Sequence, residues 1–130
     1  MNTKRILSAL LCALFLVTAV VPVYADSSDY DSHIDYGLGV RATPTSYLCS
    51  SYAKSTLKLA FVNGVNHLPQ SDYVTYIQMV VYYGDESRGS TALDNMFATV
   101  TFSVQAPDTA YRSIHEYFAN GVSVHSADLP

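Results

Sequence analysis

Residues that could do chemistry are few in this chain, and each stands in a short local pattern. Asp31, His33 and Asp35 alternate, so an extended backbone carries two carboxylates and an imidazole on one face. Those donors could ligate a divalent cation, with Asp29 adding a further oxygen. The spacing matches no calcium loop, because the invariant glycine and the closing glutamate are missing. Solvated residues on the outer face of a strand are the preferred account. Cys49 could act as a nucleophile if His67, His115 or His125 served as its base. However, Leu48-Cys49-Ser50-Ser51 has no protease-type signature, and a lone cysteine on an apolar face reads as a small core residue. Ser113-Ile114-His115, soon followed by Asn120-Gly121, sets a hydroxyl and an imidazole near a tight turn. His115, Asn120 and Gly121 are therefore the candidates for binding or for structuring that turn. G-x-S-x-G, a Gly-rich phosphate loop, H-E-x-x-H and C-x-x-C are all absent. The acids are scattered, so no glycosidase pair stands out. No catalytic, cofactor-binding or metal-ligating residue is assigned, and the expectation is a non-enzyme without cofactors.

The elements that must position these residues read as strands. Residues 26–29 read as a frayed N-terminus. From Tyr30 to Ala42 the even positions are largely apolar and the odd ones polar, which predicts one half-buried strand. Gly37 and Gly39 suggest a bulge on its outer face. Thr43-Pro44-Thr45 is expected to break it. Residues 46–62 predict a long strand with Tyr47, Cys49 and the following odd positions on one face and Lys54 and Lys58 on the other. Asn63-Gly64 is a type I′ turn signal leading to a short return strand at 65–68, stopped by Pro69. Residues 73–83 are apolar on both faces and predict a central strand. Residues 84–90 read as a polar loop. Residues 96–105 alternate cleanly and end at Ala106-Pro107-Asp108. The segment 109–119 has two readings. Tyr111, Ile114 and Phe118 fit the stripe of one short helix, capped by Asp108 and stopped at Gly121. The favoured reading is a hairpin of 111–119 with 122–127 around Asn120-Gly121.

The first 25 residues have the layout of a secretory signal peptide. A basic Lys4-Arg5 start precedes an apolar run from Ile6 to Val21, and Val23-Tyr24-Ala25 provides a cleavage site. The expected organisation is a signal peptide, 1–25, and a single domain, 26–130, secreted to the extracellular space. The alternative, an uncleaved membrane anchor, is disfavoured by the marginal apolar length and the abrupt change at Asp26. Cys12 reads as a filler residue of the signal. Beyond it Cys49 stands alone, so no intramolecular disulfide can form and packing must hold the fold. Five basic residues (Arg41, Lys54, Lys58, Arg88 and Arg112) remain against eleven acidic ones, a net charge of −6. No basic cluster is visible along the chain, so nucleic acid and anionic membranes are not expected as partners. Eleven tyrosines, ten beyond residue 25, stand beside no tryptophan. They could build a Tyr-rich binding face, although strand propensity with half-buried packing accounts for them more simply.

Six to eight short strands with regular turn signals predict an all-β antiparallel sandwich, immunoglobulin-like or Greek-key, with a small barrel as the alternative. Ser113, His115, Asn120 and Gly121, together with Thr43-Pro44-Thr45-Ser46-Tyr47, resemble a pattern in small uncharacterised exported bacterial β-sandwich proteins. Here Val122-Ser123-Val124 replaces the aromatic that often follows the Asn-Gly in that family. The resemblance implies the fold and export but no activity. The expected function is a secreted interaction or surface-associated module with a protein or glycan partner. The alternative is a bacteriocin-like or toxin-like effector, which the acidic charge and the lack of a basic amphipathic helix disfavour. A secreted hydrolase ranks last.

Overall fold

The computed structural model describes residues 26–64, 73–94, 99–107 and 109–130. The expected signal peptide, the expected return strand at 65–68, His67 and Asp108, and Met96 and Ala98 of the expected 96–105 strand lie outside the described residues. Among the described residues every regular element is a strand: β1 (Ser27–Tyr30), β2 (His33–Asp35), β3 (Val40–Leu48), β4 (Tyr52–Phe61), β5 (Thr75–Tyr83), β6 (Glu86–Asp94), β7 (Val100–Gln105), β8 (Ala110–Ala119) and β9 (Val122–Leu129). They form two antiparallel sheets packed as a sandwich. One has the order β1-β3-β4-β7, with β2 also on β3, and the other has the order β6-β5-β8-β9. The count of nine exceeds the expected six to eight because β1 and β6 form where a frayed end and a loop were expected and the 30–42 stretch is divided.

Five local expectations are corrected, and each has a physical cause. Residues 26–29 are not frayed: β1 pairs with the far half of β3, Ser27 opposite Leu48 and Tyr30 opposite Thr45. Residues 30–42 are not one strand, and Tyr30 and Tyr36 are 68% and 72% exposed rather than inward. The chain turns between β2 and β3, where the Asp35 carboxylate accepts the Leu38 N–H at 2.9 Å and Gly39 takes a φ of +69°. Pro44 does not break its own strand. It is buried in the middle of β3, opposite Leu57. Its carbonyl accepts the Asp31 N–H at 3.2 Å, so its backbone edge faces the gap between β1 and β2. Proline has no N–H to offer there, and the neighbouring edge strand is interrupted instead. The long 46–62 strand is a hairpin. Cys49 N–H bonds Tyr52 C=O at 3.0 Å, and Leu48 pairs with Ala53. The inward parity therefore changes from even in β3 to odd in β4. Residues 84–90 supply only a two-residue turn, Gly84-Asp85, before β6 begins at Glu86.

Other expectations stand. β5 is central, flanked by β6 and β8. Within β7, Val100 and Val104 are buried while Thr101, Ser103 and Gln105 are exposed. The 109–119 segment is strand β8, not helix, and forms the favoured hairpin with β9. Asn120 and Gly121 both have positive φ, +50° and +75°, the requirement of a type I′ turn. Asn63 lacks a positive φ, so the Asn63-Gly64 turn is of another type.

Two apolar clusters fill the space between the sheets. One includes Val40, Leu57, Leu59, Ile77, Tyr117 and Val124. The other includes Leu48, Ala53, Met79, Val81, Val104 and Leu129. Between them along the strands lie the buried Ser46, Ser55, Ser113 and His115. A polar belt thus crosses the core.

Candidate functional site

His115 lies in that belt and is fully buried. Ser55 Oγ is 2.6 Å from its Nδ1 and Ser113 Oγ is 2.7 Å from its Nε2. One arrangement satisfies every group: Ser113 donates to Nε2, Nδ1–H donates to Ser55, and the Ser55 hydroxyl donates to the Met79 thioether at 3.4 Å. Burial pushes the imidazole down to about pH 4, which keeps it neutral at physiological pH. Both ring nitrogens are occupied and none of the ring meets solvent, so His115 holds the sheets together and is closed to a ligand. Its partners are serine hydroxyls rather than the turn backbone. Asn120 ties its turn to the residue before β5: its Oδ1 accepts the Val74 N–H at 2.7 Å and its own N–H donates to Val74 C=O at 2.9 Å. Beside the belt, Ser46 donates to the Tyr117 oxygen at 2.7 Å, and the Tyr117 hydroxyl donates to Thr45 C=O at 2.7 Å.

The belt reaches the surface where β1 meets β9. His125 Nε2 is 2.6 Å from Asp29 Oδ2, and its Nδ1 is 3.5 Å from Asp31 Oδ2. His33 Nδ1 sits 2.7 Å from the same Asp31 oxygen. The His33 hydrogen bond holds the Asp31 carboxyl below its usual range. Of the expected Asp31–His33–Asp35 face, only the first two meet; Asp35 is turned into its own loop. No group of three or more metal-ligating side chains is placed to hold an ion among the described residues. The chemistry present is a latch that fastens the edges of the two sheets, and Ser27 adds a bond to Pro130 C=O at 2.8 Å. Sequence reasoning missed the Asp29–His125 pair because 96 positions separate its members. Cys49 is half-buried in the β3–β4 turn, 3.6 Å from Ser51 Oγ, not in the core. His115 and His125 are engaged by these other partners, and His67 lies outside the described residues.

The outer faces of the sheets differ in character. On the β6-β5-β8-β9 sheet, cross-strand rows place Leu93, Tyr76 and Phe118 side by side, then the polar Gln78 and Glu116, then Val80 and Ile114, then Tyr82 and Arg112. The Tyr76 and Phe118 rings are 5.6 Å apart, and the Arg112 guanidinium lies 5.3 Å over the Tyr82 ring. Arg112 also forms a bidentate pair with Asp128 at 2.7 and 2.9 Å, which raises the pKa of the guanidinium and lowers that of the carboxyl. Leu93 is 65% exposed and the other apolar members of the rows are half-buried. On the β1-β3-β4-β7 sheet the outward residues are hydroxyl-bearing and basic: Arg41, Thr45, Lys54, Thr56, Lys58 and Thr101. A shallow depression at the β5–β6 turn, lined by Tyr83, Glu86 and Pro107, is open to solvent. No protein-family model, curated protein or solved structure matches the chain.

Proposed function

We propose that residues 26–130, exported by the 1–25 signal, act as a non-enzymatic interaction module that binds a protein through the outer face of the β6-β5-β8-β9 sheet. The observation that carries this is the pair of apolar rows on that face. An outward sheet face in a free-standing sandwich is ordinarily polar at alternate positions. Here Tyr76 and Phe118 form an aromatic row and Val80 and Ile114 an aliphatic one, separated by a polar row of Gln78, Glu116 and Ser126, with Tyr82 and Arg112 beyond the aliphatic row. Apolar and aromatic side chains with Tyr and Arg anchors, interleaved with hydrogen-bonding groups, are enriched in protein interfaces. Four strands at about 5 Å spacing and about 30 Å of length present about 600 Å². That is the low end of a specific interface, which fits a transient contact. The strand order also supports an immunoglobulin-like sandwich. β4 and β7 take the places of strands B and E in one sheet, and β5, β8 and β9 take those of C, F and G in the other. Kinship with small exported bacterial sandwich proteins rests on Ser113, His115, Asn120 and Gly121.

The test is Ile114→Lys, which sets a charge in the middle of the face at a half-exposed position. The expected result is an unchanged melting temperature with loss of the proteins that wild type retains from surface extracts of the producing cell. Retention of the same proteins by both forms would count against the face.

A further inference from the structure

We infer that the outer face of the β1-β3-β4-β7 sheet is a docking surface for an acidic polysaccharide. The chain beyond residue 25 is acidic, yet three of its five cations converge on this face. Arg41 lies opposite Ala60, Lys58 opposite Thr43 and Lys54 opposite Tyr47, all on the outward side of the β3–β4 ladder. Lys54 and Lys58 make no ion pair among the described residues. Among the described residues Arg41 makes a long contact, 3.4 Å, to the Ser32 hydroxyl. Asp26 stands at one end of the face, where its carboxylate accepts the Tyr47 hydroxyl at 2.6 Å.

The spacing favours a sparsely charged polymer. Lys54 and Lys58 are four residues apart on one strand, about 13 Å. Between them, Thr45, Thr56 and Thr101 form one row across three strands, with Thr56 and Thr101 hydroxyls 3.3 Å apart. Beside Lys54, the Tyr47 and Tyr52 rings are 5.8 Å apart. Cations separated by a hydroxyl row and closed by aromatic rings suit a chain carrying a carboxylate only every sugar or two. They can pair with its charges, bond its hydroxyls and stack one ring. Duplex DNA carries a charge every 1.7 Å or so along its axis and would meet three cations on an otherwise repelling molecule. This surface lies on the sheet opposite to the proposed protein-binding face, so the two fail or succeed independently.

Binding of the purified protein to polygalacturonate tests it, with uncharged dextran as the control polymer. The expected result is binding to polygalacturonate and none to dextran, weakening several-fold between about 50 and about 200 mM salt. Lys54→Gln with Lys58→Gln should weaken binding at least about tenfold, the loss expected of two charge contacts. Arg88→Gln, on β6, should leave it within about twofold. Both lysines are exposed, so the double variant should keep the wild-type melting temperature; if it does not, each single variant is measured. The inference is overturned if the lysine variants bind like wild type, if dextran binds as well, or if a DNA oligonucleotide binds as tightly at the same salt.

Discussion

At the residue scale, the imidazole singled out as a candidate for binding is a buried strut. His115 is fully enclosed by Ser55, Ser113 and the belt around them, and its pKa falls to about 4 through burial. The unfolded chain titrates near pH 6.5. A base whose folded pKa is depressed contributes its full stability above the unfolded value and loses it as pH falls toward the folded one. Stability should therefore decline from about pH 6.5 to about pH 4, by on the order of 3 kcal/mol from this group. Denaturant titrations across that window check it, and His115→Gln should be less stable at pH 7 but flatter with pH. Asp31 adds to acid sensitivity with the same sign, since its lowered pKa stabilises the fold above the unfolded value and is lost as pH falls through the folded one. The sequence marked His115, Asn120 and Gly121 because a hydroxyl, an imidazole and a turn stood close together. It could not show that Ser55, 60 positions away, supplies the second partner.

At the element scale, the Asn120-Gly121 turn was legible, while other turns and the strand edges were not. The Asn120-Gly121 hairpin follows from a dipeptide that tolerates positive φ. Asn120→Ala should cost about 1–2 kcal/mol, from the positive φ and the lost bond to Val74 N–H. Asn120→Gly relieves the φ and loses only the bond, so it should cost about half as much. Urea midpoints of the two variants separate the contributions, and equal losses would show that the bond alone matters. The β3–β4 turn escaped notice because Cys49-Ser50-Ser51 contains no glycine, proline or asparagine, while alternation continues on both sides. Pro44 was read as a breaker of its own strand, yet its missing N–H acts on the neighbour, dividing β1 from β2.

At the scale of the whole molecule, both apolar clusters draw side chains from both sheets, and the polar belt joins them. Neither half of the core can therefore open alone. Far-UV circular dichroism and tyrosine fluorescence should report one coincident thermal transition. Two separated transitions would show that the belt divides the fold into independent parts. The sequence by itself determined the period of two, the all-β class, the central place of β5 and the C-terminal hairpin. These follow from local alternation and turn residues. Only the tertiary structure decided which strands pair at the edges, that Asp29 and His125 latch them, and that Lys54, Lys58 and Arg41 share one face while Val80, Ile114 and Phe118 share another. The physical reason is that alternation assigns a residue to one side of its own strand, whereas a surface is assembled by register between strands far apart in the chain.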